Sequence, residues 1–372
     1  MIYFDNAATG GKKPDGVLTA VTSAVRVCAN PGRSGHKLSL AMAKLVQDCR
    51  NALSEFFDGY GYDRVIFTKN CTEALNLALF GTLSKGDHVI TTRMEHNSVL
   101  RPLEALKKSG VIDYSICQTL DEENLPREIK SLVRENTRLV AVTSASNVNG
   151  YIPPIDKLKA VLPERVLLLC DGAQGGGHIP IKMQKSGLDI LALAGHKGLM
   201  GIQGSGALLF SERVEPKPYT YGGTGSLSLS LDMPDFYPDA LEAGTLAFPA
   251  VVSMLEGVRY LALRQEEIAN KLLSLTAYLI DGLEGLSEYA IYSKPNPCGI
   301  VAFKHSSVQS EYLASALSSV YDIAVRGGLH CAPLMHEALG TQDEGLVRVS
   351  FSHFNSKPEI DELLAALKKL AS

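Results

Sequence analysis

The chain has 372 residues, 45% hydrophobic and 20% charged, enough for two lobes and a large core without disulfide staples. Its net charge of −4, from 36 basic and 40 acidic residues, excludes a nucleic-acid binder held by phosphate neutralisation. Seven cysteines, at 28, 49, 71, 117, 170, 298 and 331, include no CxxC pair, which predicts a reducing compartment and mostly buried thiols. The opening MIYFDNAATGG lacks the basic and apolar regions of a signal peptide. The longest apolar runs, such as 166–170 and 190–194, are far too short to span a bilayer. The expectation is a cytoplasmic protein with no nucleic-acid or membrane partner.

Strand-like runs fall at 64–68, 88–92, 138–143, 166–171, 189–194 and 206–210, apolar at successive positions as in strands buried on both faces. Helical patterns lie between them at 39–57, 72–83, 98–109, 125–134 and 155–162. This alternation predicts an α/β layer fold with a mostly parallel sheet, whose ligands bind beyond the carboxyl ends of the strands. The stretch 222–237 reads as a long loop. After residue 250 the pattern changes. Long amphipathic helices are expected at 249–264 and 265–286, strands at 299–304 and 347–350, and a last helix at 357–370. We therefore expect an N-terminal segment 1–15, a large lobe 16–250 and a smaller α+β lobe 251–372.

The candidate chemistry collects at predicted strand ends. Lys197 follows the 189–194 strand between Gly195 and Gly198. Read alone, such a lysine is a solvated surface charge. Asp171 ends the 166–171 strand, 26 residues earlier. Alone it caps a helix; paired with Lys197 it suits pyridoxal phosphate. A lysine bonds that cofactor's aldehyde carbon, and a carboxylate holds the ring-nitrogen proton. Asn70, Cys71, Thr72 and Glu73 open a helix after the 64–68 strand, a phosphate site or a plain cap. His96 follows the 88–92 strand, placed to stack on a ring. Asn147 follows the 138–143 strand, near a ring oxygen or the substrate. The Gly-rich runs 175–177 and 201–206 lack the spacing and following acid of a dinucleotide fingerprint.

With these residues in view, the sequence resembles the class V aminotransferase superfamily, pyridoxal-phosphate enzymes of fold type I. Within it, the sequence is similar to the cysteine desulfurases, of the short-loop type shared with selenocysteine lyases. The resemblance rests on residues 3–9, on 30–36, on Glu242 to Thr245, on the run from Arg326 through Gly327, Gly328, Leu329, His330 and Cys331 to Ala332, and on 345–351. It implies a large cofactor domain, a smaller C-terminal domain and a homodimer.

The implied catalytic residues are Cys331, Lys197 and His96. Those for the cofactor are Lys197, Asp171, Gln174, His96, Thr72, Cys71, His196, Asn147 and Thr245, the last reaching in from the other subunit. Those for the substrate are Arg348, Asn147, Arg326, His330, Asn6 and Ala7. The substrate would be cysteine or selenocysteine, and the acceptor a protein serving iron–sulfur clusters or other thio-cofactors. The alternative is a selenocysteine lyase, or another class V aminotransferase or lyase with Cys331 idle. Ala194, Leu329, Ser144 and Ala247 depart from the family pattern.

A thiol at Cys331 beside His330 or Arg326 would be partly ionised at neutral pH. Two other readings of Cys331 are an inert thiol and a metal ligand with His330 and His336. The metal fails on geometry, because three ligands within seven residues of one loop make a poor tetrahedron. No metal is expected.

Overall fold

A computed structural model describes residues 1–27 and 29–370. Cys28 lies outside them. The first half runs β1 (Ile2–Tyr3), α1 (Asp15–Arg26), α2 (Lys37–Phe56), β2 (Val65–Thr68), α3 (Cys71–Thr82), β3 (Asp87–Thr92), α4 (Asn97–Lys108), β4 (Ile112–Cys117), α5 (Leu125–Ser131) and β5 (Thr137–Thr143). Next come α6 (Ile155–Leu158), β6 (Leu167–Asp171), α7 (Met183–Ser186), β7 (Ile190–Ala194) and β8 (Gly206–Phe210). The last third contains α8 (Phe248–Ala262), α9 (Gln265–Glu284), β9 (Tyr289–Ile291), β10 (Ile300–His305), α10 (Ser310–Tyr321), β11 (Ile323–Ala324), α11 (Pro333–Leu339), β12 (Val347–Ser350) and α12 (Lys357–Leu370).

The large sheet has the order β2-β8-β7-β6-β5-β3-β4. Only β8 runs against its neighbours, pairing antiparallel with both β2 and β7. Strands β2, β3, β5, β6 and β7 therefore end at one edge. Every residue of β6, β7 and β8 is buried, which explains their unbroken apolar sequences. The mostly parallel sheet matches the expected fold class.

Several local expectations are corrected. Strand β4 escaped the sequence reading because it is an edge strand, with Asp113 and Ser115 interrupting the apolar run. Helices α1 and α10 were likewise not anticipated. The 125–134 helix stops at Ser131, and a turn follows in which Thr137 Oγ1 accepts the Arg134 amide at 2.7 Å. The 155–162 helix lasts one turn, tightens at Lys159–Val161 and becomes extended at Leu162, as a residue before proline must.

The N-terminal segment is not separate. β1 pairs with β11 of the small lobe, and Asp5 forms a bridge with Ser350. The expected boundary at 250 falls inside α8, which packs on α1 and α2.

One buried ion pair secures the loop that follows 222–237. Arg50 of α2 bonds Glu242 at 2.9 and 2.5 Å and lies over the Phe67 ring, 4.5 Å from its centre. Glu242 also accepts the Phe67 amide at 2.6 Å. Breaking a buried pair leaves an uncompensated charge. Glu242→Ala should therefore lower unfolding free energy by about 3–5 kcal/mol in denaturant titrations, whereas Lys44→Ala, at an exposed pair, should lower it by less than about 1 kcal/mol.

Candidate active site

Beyond the shared strand edge lies a cavity of about 90 Å³. Asn70, Cys71, Thr72, His96, Ser98, Thr143, Asn147, Asp171, Gln174, Ala194, His196 and Lys197 are among its lining residues. Lys197 is brought there by the turn after β7. That turn needs glycine: a Cβ on Gly198 would overlap the Gly176 carbonyl, and one on Gly177 the Gly198 carbonyl. The 175–177 run thus packs the loop after Asp171 against the lysine turn, a use of glycine unrelated to nucleotides.

Asp171 is buried at the end of β6. Its Oδ1 accepts the Ala173 amide at 2.9 Å and the Cys71 thiol at 3.4 Å, which leaves Oδ2 for a ligand. The Cys71 thiol is pushed well above its ordinary pKa by burial and then by Asp171, so it stays protonated. Burial lowers the Lys197 amine while Asp171 opposes the shift. Lowering favours the neutral, nucleophilic form.

Helix α3 starts directly after β2. Asn70 Oδ1 caps it through the Glu73 amide at 2.9 Å, and Glu73 returns a bond to the Lys69 amide at 2.5 Å. Thr72 is thus held in the first turn, its hydroxyl 2.8 Å from Ser98 Oγ. Ser98, in the first turn of α4, was not anticipated. Its signal was its position two residues after His96.

His96 caps α4, its Nδ1 accepting the Ser98 amide at 3.0 Å. An amide only donates, so the ring proton is on Nε2. Burial brings the His96 pKa down to about 4, against the pull of Asp171, and the ring is neutral. His196 is lowered to about 4 by burial, then by Lys197 and Lys13. Its Nδ1 lies 3.0 Å from Thr9 Oγ1.

Arg348, on β12, is fully buried. It donates to Asp5 Oδ1 at 2.7 Å and to the Asn147 carbonyl at 2.9 Å, while its Nε has no partner among the described residues. Such an unpaired donor can receive a carboxylate. Asp5 was not singled out from the sequence. Arg326 forms an antiparallel bridge with Arg348 and approaches Cys331 Sγ with Nη2 at 3.8 Å. Cys331 is exposed, whereas Cys49, Cys71, Cys117, Cys170 and Cys298 are buried. His330 and Cys331 both have positive φ, +50° and +58°. For residues bearing a side chain this costs about 1–2 kcal/mol each.

Four further predicted residues, His330, Asn6, Ala7 and Thr245, do not line this cavity. The His330 ring is buried against His336, with His336 and the Arg326 carbonyl as its hydrogen-bond partners. Asn6 spends its side chain on the Ser350 carbonyl and the Gly11 amide. Ala7 serves as a backbone partner of Ser350 Oγ and Gln174. Both are thereby tied to β12, where the segment crosses between the lobes. Thr245 is exposed in a separate cleft of about 180 Å³ that Thr68, Lys69, Glu73 and Glu242 also line. Within one chain it does not reach the Lys197 cavity. Among the described residues no cluster of three His, Cys, Asp or Glu suits a metal.

The family model for aminotransferase class-V matches residues 2–363, so the chain belongs to that family. A probable cysteine desulfurase of Pyrococcus abyssi is 32% identical over 385 residues, covering all of this chain and 94% of the relative. A cysteine desulfurase of Haloferax volcanii is 30% identical, covering 99% of this chain and 88% of that one. The apo structure of the cysteine desulfurase from Thermococcus onnurineus NA1 superposes with a TM-score of 0.90 at 29% identity, covering 100% and 94% of the two chains. The family uses pyridoxal phosphate, and the cavity suits it: a buried amine, an aspartate with one open oxygen, and a helix start with a hydroxyl.

Glu95, beneath His96, is completely buried. Its Oε1 accepts Thr92 Oγ1 at 2.7 Å and the Thr143 amide at 3.1 Å, and burial raises its pKa to about 8. The folded protein keeps this proton up to about pH 8, while the unfolded chain releases it near the ordinary value of 4.5. Folded binding exceeds unfolded binding across that window, so stability from this group falls as pH rises. The Tm difference between Glu95→Gln and the parent should therefore shift in the variant's favour from pH 5 to pH 8, measured by scanning calorimetry.

Proposed function

We propose that this protein is a pyridoxal-phosphate-dependent cysteine desulfurase that converts cysteine to alanine and carries the sulfur as a persulfide on Cys331. The single observation behind this reading is the convergence of Lys197 and Asp171 in one cavity, with the exposed Cys331 thiol approached by Arg326, which is bridged to Arg348. Full-length similarity to cysteine desulfurases supports it.

The cofactor, when bound, supplies an electron sink for the substrate's α-carbon. Lys197 would anchor it and serve as the base that takes and returns the α-proton. Asp171 would keep the ring nitrogen protonated. Thr72, Ser98 and the start of α3 would hold the phosphate. His96, neutral with its proton on Nε2, would lie against the ring and could donate a proton. Arg348 grips the substrate carboxylate, and Asp5 holds the guanidinium in place. The Cys331 thiolate, stabilised by Arg326, attacks the substrate sulfur. An S–S bond forms and the C–S bond breaks; its electron pair stays on the β-carbon, which is protonated to give alanine. The persulfide then passes to a thiol acceptor, consistent with supply of iron–sulfur cluster assembly in the cytoplasm. No helix among the described residues is long and apolar enough to cross a membrane.

Incubation of the holoprotein with cysteine should release alanine and label Cys331 as persulfide. Lys197→Ala should abolish the visible cofactor band that borohydride otherwise bleaches, and cost about 10²–10⁴-fold in rate for loss of the base. Cys331→Ser should keep the band and lose sulfur release. Desulfuration by the serine variant at the parental rate would remove Cys331 from the mechanism.

We further propose a two-fold dimer with Thr245 of each copy completing the other's phosphate site. Thr245 is exposed, and the preceding loop holds Leu229 and Leu231 fully in solvent, with Leu227 and Tyr221 mostly exposed. Such exposed apolar side chains support the dimer reading. Light scattering at micromolar concentration should give the dimer mass. Thr245→Val should weaken cofactor retention by roughly 1.5–3 kcal/mol, the worth of one bond to a charged group. A fully active monomer would refute shared sites.

A further inference from the structure

Beneath the Cys331 turn lies a buried row of polar side chains with no part in the mechanism above. His330 Nε2 is 3.2 Å from the Arg326 carbonyl, and the same oxygen accepts the Arg348 amide at 2.8 Å. A carbonyl only accepts, so His330 is protonated on Nε2 and bare on Nδ1. Facing Nδ1, at 3.5 Å, is His336 Nε2; the two rings are 19° from parallel with centres 5.6 Å apart. The contact is attractive only if His336 carries its hydrogen on Nε2. Its Nδ1 must then accept, and Thr341 Oγ1 stands 2.8 Å away. The row runs in one direction, from Thr341 through His336 and His330 to the Arg326 carbonyl.

The row ends at a turn that is locally unfavourable. Gly328, His330 and Cys331 all have positive φ, and only the first is glycine. Backbone anchors come from the active-site side. Asn147 Nδ2 donates to the His330 carbonyl at 2.6 Å, and the Asn97 amide donates to the Cys331 carbonyl at 2.8 Å. The imidazole row is a further anchor, tying the turn through the His330 ring to the Arg326 carbonyl. Both rings stay neutral: burial lowers them, and Arg348, His336 and Arg326 oppose a charge on His330.

We propose that Thr341, His336 and His330 form a positioning relay that holds Cys331 in its left-handed turn, so that the thiol faces the substrate sulfur beside Arg326. The proposal rests on Cys331 being the sulfur-accepting thiol. The three residues touch neither substrate nor cofactor. They act by removing the freedom of the turn to relax to negative φ.

The test uses the holoenzyme with Thr341→Val, His336→Leu and His336→Gln. Three quantities are read: single-turnover persulfide formation on Cys331, the iodoacetamide alkylation rate of Cys331, and the visible cofactor band. Thr341→Val and His336→Leu should each slow persulfide formation by about fivefold or more, the effect of one lost hydrogen bond. The band and the KM for cysteine should not move, and the alkylation rate should change. His336→Gln, whose amide nitrogen replaces Nε2, should recover most of the rate. Parental persulfide and alkylation rates in both Thr341→Val and His336→Leu would overturn the relay, as would a loss in His336→Gln equal to that in His336→Leu. Should His336→Leu fail to fold, Thr341→Val decides, because it removes a hydroxyl at nearly constant volume. Failure of the underlying reading looks different: Cys331→Ser itself would then desulfurate at the parental rate.

Discussion

A guanidinium taken fully out of water must keep a counter-charge, and the Arg348–Asp5 contact at 2.7 Å meets that demand. The arginine lies on a small-lobe strand and the aspartate on the N-terminal segment, so the pair draws the first residues of the chain across the molecule. Once there, the segment is used repeatedly. Asn6 and Ala7 bond Ser350, the Ala7 carbonyl takes Gln174, and Gly10 and Lys13 both donate to the carbonyl of His196, next to Lys197. One strap therefore ties the arginine proposed for the substrate to the lysine proposed for the cofactor, although they belong to different lobes.

Electrostatics divides the labour inside the site. Burial acts on every group, yet it removes charge only where no opposite charge compensates. His96, His196 and His330 are driven neutral and work as oriented dipoles. Cys71 stays a thiol and donates to Asp171. Glu95 keeps its proton and braces the ends of β3 and β5. Asp171 lines the cavity, Arg348 is paired with Asp5, and Arg326 approaches the Cys331 thiol. Among the described residues that line the cavity, Asp171 is the one acidic side chain that an entering phosphate or amino-acid carboxylate would meet.

Cys331 differs from the other described cysteines in exposure rather than in local sequence chemistry. The sequence offered either His330 or Arg326 as the group that favours its thiolate. With positive φ at both His330 and Cys331, the His330 ring stacks on His336, and Arg326 is the group that meets the sulfur. A two-residue turn thus decides between the two neighbours.

The sequence by itself determined the parallel sheet, because strands buried on both faces must be apolar throughout, and it pointed to the ligand edge, because Asp171 ends such a run and Lys197, His96 and Asn147 each follow one. Those are local signals with a fixed period or a fixed offset. Tertiary structure alone decided the rest: that β1 joins the small lobe, that Asp5 meets Arg348 across 343 residues, that the glycines at 175–177 serve the lysine turn, and that the His330 ring stacks on His336. Each is a contact between segments distant in sequence, or a turn whose direction is settled by what it packs against. Neither leaves a periodic trace in a single chain.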